Sequence, residues 1–375
     1  MGQKVSIVIM EGGNPTGDMQ KMLVSARRAA IFDNIAKLKE VESIGTINLL
    51  TNYPLLAEKA AAYGVKVHKS STPQDGFHFG RALRGLINHE GLRHVIYMGG
   101  AGVPLIKAEE LRDACEFLLI HRPVIYSNNT MSADIVAFSP GELINSIVPP
   151  EMDNILAVAL SGGTGVEHRL FPMSTGFLFD LDTPADLLIL AGSALAGAHL
   201  RAFLKGLDLD LAPLQRVKKV LRGEYKDVAL LGRVGAPAIA KINRSLKVRL
   251  RVFSEERGMR ALGRQERGEV VSLLAFFLQE TGPQRFFRYL ERICSAALLD
   301  TRVLMAHLGP GLTAEDRYLS DLGRWREMGD PFFREFTRCA VESTIPILLG
   351  GHNLVLGGLW VLAEEIASEA GRGGE

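Results

Sequence analysis

Net charge is what this chain has least of. Its 43 lysines and arginines meet 42 aspartates and glutamates, so no whole-molecule field draws it to nucleic acid or to a membrane surface. Cysteine is scarce as well. Cys115, Cys294 and Cys339 stand apart in apolar surroundings without metal-ligand spacing, which excludes a thiolate metal centre and suits three reduced core thiols in a cytoplasmic protein. The N-terminus has one lysine and a short apolar run but no small-residue cleavage site, so no secretory signal peptide is expected. Repeats and low-complexity segments are missing apart from a short polar tail, Gly371 to Glu375. A single run, Ile345 to Ala363, is long enough to span a bilayer. Pro346, four glycines and the central His352-Asn353 pair interrupt it, and a buried helix pair, or a loop leading into a core helix, is expected there instead.

What is there is an ordinary globular mixture, 47% hydrophobic and 23% charged, over 375 residues, enough for two domains and a sizeable core. The opening stretch Val5 to Met10, VSIVIM, is apolar and largely β-branched, and it runs directly into Glu11-Gly12-Gly13-Asn14-Pro15-Thr16-Gly17-Asp18. This pattern predicts a buried parallel strand that delivers a glycine loop to its carboxyl end, where open α/β sheets bind ligands. Glycines there let backbone N–H groups approach a phosphate ahead of a helix N-terminus; an ordinary tight strand-to-helix turn has the same composition. The loop matches neither the dinucleotide fingerprint nor the P-loop pattern.

Further along, strands are expected at Thr46 to Leu50, Val65 to His68, His94 to Met98, Pro123 to Tyr126 and Asp134 to Phe138. Helical spacing at Lys21 to Lys39, Tyr53 to Tyr63, Phe79 to Leu86 and Ala108 to Leu119 alternates with them. The alternation predicts a mostly parallel sheet with helices on both faces. Phe177 to Leu181 alternates as a strand, and Thr183-Pro184 supplies an N-cap and first-turn proline for a helix to about Leu195. Ser161 to Gly165 reads as a lid or a hairpin turn. After Ala196 the pattern changes: one strand-helix-strand unit spans Val228 to Phe253, and from Glu269 helical spacing runs almost throughout, including Gln284 to Leu299. The expected division is an α/β domain over 1-198 and a mainly α domain over 199-375.

Taken together, the order of elements and three local motifs over residues 3 to 195 resemble the nucleotidyltransferases of the glycosyltransferase-A-like fold, notably the molybdenum-cofactor guanylyltransferases and 2-phospholactate guanylyltransferases. Ile9-Met10-Glu11-Gly12-Gly13 is similar to the family's opening Leu-Ala-Gly-Gly loop, with Lys21 where its lysine comes. Asp75-Gly76-Phe77-His78-Phe79-Gly80 is similar to the glycine segment near the base. Asp180-Leu181-Asp182-Thr183-Pro184-Ala185-Asp186-Leu187 is similar to the closing Asp-x-Asp/Asn-Thr-Pro-Glu-Asp-Leu, the most specific match. Three departures stand beside these. The arginine after Gly13 is missing, Glu11 puts an acid in the phosphate loop, and Gly102-Val103-Pro104-Leu105 replaces the Asp-x-Pro-Leu whose carboxylate helps hold magnesium.

The resemblance implies transfer of a nucleotidyl group from a nucleoside triphosphate to a small anionic acceptor. It implies nucleotide contacts at Gly12, Gly13, Asn14, Gly76, Phe79 and Gly80, with Lys21 on the phosphates. Asp180 is implied as the carboxylate on Mg2+ and Asp182 as a second ligand or a loop-fixing residue, although both also suit orienting the helix start at Thr183. Acceptor contacts are expected from Asn129, Asp134 and His352; equally, the first two suit a solvated strand entrance and His352 a hydrogen-bonded buried group. Between Lys241 and Arg267 nine basic residues face three glutamates, either a solvated strand face or an anion site. The helical domain would shape the acceptor site or form a homo-oligomer contact. Two alternatives stay open: a glycosyltransferase using a nucleotide sugar, for which Lys21 is less necessary, and a degenerate nucleotide-binding or regulatory module that lost its carboxylate at Gly102.

Overall fold

The computed structural model describes residues 3–70 and 76–372. Residues 1–2, 71–75 and 373–375, with Asp75 of the glycine segment and most of the polar tail among them, lie outside the described residues. The chain forms two compact units: Met1–Pro15, Arg27–Asp180 and Gly197–Leu200 make the first, and Thr16–Ala26, Leu181–Ala196 and Arg201–Glu375 the second.

The first unit is built on seven strands: β1 Val5–Met10, β2 Ile44–Thr51, β3 Lys66–Lys69, β4 Val95–Gly99, β5 Val124–Ser127, β6 Ile135–Ser139 and β7 His168–Leu170. Their order is β3-β2-β1-β4-β6-β5-β7. Every pair is parallel except those of β6, which runs antiparallel to β4 and β5. The sheet is therefore the mostly parallel, helix-covered one that the alternation predicts. β1 lies between β2 and β4, with Ile9 opposite Leu49 on one side and Met98 on the other. Successive strands depart from it in opposite directions, so the loop after Met10 sits at a switch point of the sheet. Val5, Ile7, Val8 and Ile9 are buried, as a strand covered on both faces requires.

Two local expectations fail in this unit. Phe177 is not in a strand: Thr175–Leu178 is a short helical turn, started by Ser174, whose hydroxyl accepts from the Phe177 N–H at 3.2 Å. Asp180 then makes a single antiparallel bridge to Gly102. Ser161 to Thr164 is neither lid nor hairpin but the end of the helix Leu156–Thr164, closed by Gly165 at φ +66°.

The second unit carries β8 Asp227–Gly232, β9 Arg249–Ser254, β10 Ala296–Asp300 and β11 Ile347–Gly350. All four are parallel, in the order β11-β10-β8-β9. The strand-helix-strand unit read from Val228 to Phe253 is thus half of a sheet among many helices. The helix expected over Gln284 to Leu299 stops at Ile293, the end of Leu273–Ile293, which kinks at Gly282 and Pro283. Ala296–Asp300 is a buried strand instead, and a short apolar run of this kind has no periodicity to separate strand from helix. Ile345 to Ala363 contributes β11, a 3-10 turn at His352–Val355 and the start of the helix Gly357–Arg372. Among the described residues no helix is long and apolar enough to cross a membrane. The core of this unit gathers Phe286, Phe287, Phe333 and Phe336 with Leu231, Leu299 and, from near the chain start, Met19.

Two ion pairs mark the carboxyl ends of β8 and β10. Arg233 donates to Asp300 through Nε at 2.6 Å and Nη2 at 3.0 Å, and Arg302 donates to Asp321 through Nη1 at 3.0 Å. The Asp300 and Asp321 side chains have no exposed surface. Gly232 leaves β8 at φ +106°, where a Cβ would stand 2.6 Å from that of Asp300.

Candidate functional site

In the first unit the glycine loop is held by one side chain. Asn52, just beyond β2, accepts from the Gly13 N–H at 2.9 Å and donates to the Gly13 carbonyl at 2.9 Å. A Cβ at Gly12 would lie 2.6 Å from the Asn52 Oδ1, so the amide can seat itself only beneath a glycine. Asn14 is exposed beside this clamp. Glu11 turns inward and is 5% exposed. Its Oε2 fills the space a side chain at Gly100 would need, and its Oε1 has no hydrogen-bond partner among the described residues. Burial pushes the Glu11 carboxyl up, against the pull of Arg27 and Arg28 and with Asp153 adding to the rise. Tyr97 on β4 donates to Asp153 at 2.8 Å. Burial, then Asp153, Asp134 and Glu11, hold this phenol well above its ordinary value.

Gly102 sits against two aspartates. The residue is bridged to Asp180, and a Cβ on it would stand 2.9 Å from both the Cβ and the carbonyl oxygen of Asp134. Asp134, at the head of β6, and Asp180 therefore both adjoin Gly102. Asn128 orients this corner: it donates to the Asp134 Oδ2 at 3.1 Å and to the Phe177 carbonyl at 2.9 Å, and accepts from the Asp134 N–H at 3.0 Å. Asn129 closes its own turn, accepting from Met131 and Ser132. A variant Gly102→Asp is expected to lose about 1–3 kcal/mol of stability by overpacking against Asp134, measured as a lowered denaturant midpoint without any gain in metal affinity.

The remaining expected nucleotide contacts separate. Gly76 is exposed, whereas Phe79 is a core residue, its ring 5.1 Å from that of Tyr97. Gly80 is buried against Pro150, whose carbonyl accepts its N–H at 2.9 Å.

In the second unit Lys21 lies on an exposed helix turn, 3.4 Å from Asp18 with both side chains more than half exposed. Asp182 precedes the helix Pro184–Ala191. Asp186, fully buried, accepts through Oδ2 from the Asp182 N–H at 2.9 Å, the Thr183 N–H at 2.6 Å and the Thr183 hydroxyl at 3.0 Å. Its Oδ1 accepts from Asn353 at 2.9 Å. That bond joins the helix start to the turn after β11, where Gly351 passes so near Thr183 that a Cβ would be 2.7 Å from the Thr183 Cγ2. The result is that a carboxylate oxygen of Asp182 and a ring nitrogen of His352, both half-buried, lie within 4.8 Å of each other. Asp186 and Asn353 carry this arrangement and were not singled out from the sequence as site residues; the capping pattern Thr183-x-x-Asp186 was the available signal. The basic stretch 241–267 is largely engaged in ion pairs: Arg249 and Arg251 with Asp227, Lys247 with Glu224, Arg264 with Glu256 and Arg267 with Glu269.

No protein-family model matches the chain, and no curated protein matches it. Among solved structures it is similar to a candidate nucleotide-diphospho-sugar transferase from Desulfovibrio desulfuricans G20, with 16% identity and a TM-score of 0.40 over 56% of this chain and 100% of that one. It is also similar to a cytidylyltransferase from Leptospira borgpetersenii, with 16% identity and a TM-score of 0.39 over 50% of this chain and 85% of that one. A third is the 4-diphosphocytidyl-2C-methyl-D-erythritol synthase of Anaerococcus prevotii, at 10% identity and a TM-score of 0.36, over 49% and 92% of the two chains. At such distances only side chains can speak for the chemistry.

Proposed function

We propose that the protein is a cation-dependent transferase acting on a nucleotide, most simply a nucleotidyltransferase for a small phosphorylated acceptor. The observation that carries this reading is that two aspartates meet at Gly102: a backbone bridge joins it to Asp180, and a Cβ on it would stand 2.9 Å from that of Asp134. Their oxygen donors suit Mg2+, which commonly takes one or two carboxylates together with phosphate oxygens. A bound divalent ion would neutralise phosphate charge and polarise the reacting phosphoryl group. The chain's own part is positional. The Asn52-clamped loop at Gly12 and Gly13 lines the nucleotide, and Asn128 keeps Asp134 aimed. Asn129 borders the place for the acceptor, whose oxygen would attack the α-phosphorus as the bond to pyrophosphate breaks. Holding the two partners in line supplies much of such a rate enhancement.

A second reading has specific support. Lys21, the residue expected on a triphosphate, stands exposed beside Asp18, which favours a ligand with fewer phosphate charges than a triphosphate. A nucleotide diphosphate sugar meets that description. Thermal unfolding with each nucleoside triphosphate and with nucleotide sugars, in Mg2+ or in chelator, separates the readings. A ligand at one hundred times its dissociation constant raises stability by about 2.7 kcal/mol. A Mg2+-dependent rise with one triphosphate, lost in Asp134→Asn and Asp180→Asn, is the expected outcome. A rise confined to nucleotide sugars selects glycosyl transfer. A rise indifferent to chelator and to both variants, or none at all, overturns the enzymatic reading.

A further inference from the structure

We propose that Asp182 and His352 form a binding site for a divalent transition-metal ion of the Mn2+, Co2+ or Zn2+ class, in preference to Mg2+. The two residues are distant in sequence, yet a carboxylate oxygen and an imidazole nitrogen are brought within 4.8 Å. Ligand distances for such ions are about 2.0–2.2 Å, so a modest side-chain rotation lets both donors share one ion. Both residues are half-buried, which leaves room for water or phosphate oxygens to complete the coordination.

The backbone around the pair is built for this approach. Asp186 fixes the N–H groups of Asp182 and Thr183, and Asn353 is tied to the same carboxylate. Gly350 and Gly351 admit the neighbouring turn, since a Cβ on either would stand 2.7 Å from Ala185 or Thr183. Mixed nitrogen and oxygen donors discriminate against Mg2+, which prefers an all-oxygen shell, and follow the rising affinity from Mn2+ toward Zn2+. The inference rests on the proposed transferase only for the use of the ion and not for its binding.

The test uses the full-length protein with Mn2+ and no nucleotide. Titration followed by electron paramagnetic resonance is expected to give one tight site per chain, with Mg2+ competing at least tenfold more weakly. Pulsed measurements on the wild-type complex are expected to reveal an imidazole nitrogen coupled to the ion. His352→Gln and Asp182→Asn should each weaken Mn2+ at least tenfold with far-UV circular dichroism unchanged. Absence of the nitrogen coupling overturns the proposal even if a variant fails to fold, as does Mn2+ affinity that survives both substitutions or a preference for Mg2+. Because nucleotide is left out, tight Mn2+ binding in a protein with no nucleotide response would overturn the transferase reading and leave this site standing.

Discussion

Arg233→Met is expected to lower the stability of the folded protein by about 3–5 kcal/mol at neutral pH, the usual consequence of leaving one member of a buried ion pair without its counter-charge. Asp300 has no exposed side-chain surface and takes two guanidinium bonds from Arg233, with further donors in the Arg233 N–H at 3.2 Å and the Arg302 N–H at 3.2 Å. Burial opposes its ionisation, but the Arg233 charge and hydrogen bonds, helped by His352 and Arg302, hold its carboxyl below the ordinary 3.8. A carboxyl depressed in the folded state binds fewer protons there than in the unfolded chain. The stability it contributes is therefore present above the unfolded value and is lost as pH falls through the folded one. Wild type should lose this contribution only below about pH 4. In Arg233→Met the carboxyl becomes easier to protonate, so the deficit against wild type should narrow on acidification. Urea unfolding of both proteins at pH 7 and pH 4.5 measures it, and an equal deficit at the two values would contradict the assigned pairing.

Asp186→Ala should cost a comparable amount, about 3–4 kcal/mol, and in a different way. Hydrogen bonds to a charged acceptor contribute roughly 1.5–3 kcal/mol each, and buried donors left unmet add a desolvation penalty. Asp186 accepts from two backbone N–H groups, the Thr183 hydroxyl and the Asn353 amide, although water entering the vacated space satisfies some of these. Asp186→Asn keeps the acceptor oxygen and the shape, so its loss should be about half as large. If the carboxylate is what joins the two turns, amide exchange should quicken both at Asp182-Thr183 and at Asn353. Faster exchange at the helix start alone would reduce Asp186 to a local cap.

This helix start was readable in the sequence because capping is local chemistry: Thr183, Pro184 and Asp186 act within one turn. Six strands of the first sheet were readable for a similar reason, since buried apolar runs and glycine breaks alternate with helical spacing; the three-residue β7 was not. Misreadings arose where local signals were ambiguous. Phe177-Leu178-Phe179 alternates like a strand, yet Ser174 begins a turn before it. Ala296–Asp300 continues a helical pattern in composition but is buried on every side.

The site was less legible because its juxtapositions are non-local. Nothing near Gly102 in sequence says that Asp134 lies against it, and nothing near His352 names Asp182. Those relations follow from strand order and from two close glycine approaches, which only the assembled fold expresses.

The way the chain threads its two units bears on how the protein is made. Residues 16–26 leave the ribosome well before the rest of their unit, which is completed by β11 and the helix Gly357–Arg372. Met19 sits in that unit's core, and its N–H donates to Glu315 at 3.2 Å. During synthesis this early segment must wait for partners almost three hundred residues downstream, while the first sheet can pair around it. Translation thus imposes an order in which the second unit is sealed last, and cutting the gene once between the units would strand part of one with the other.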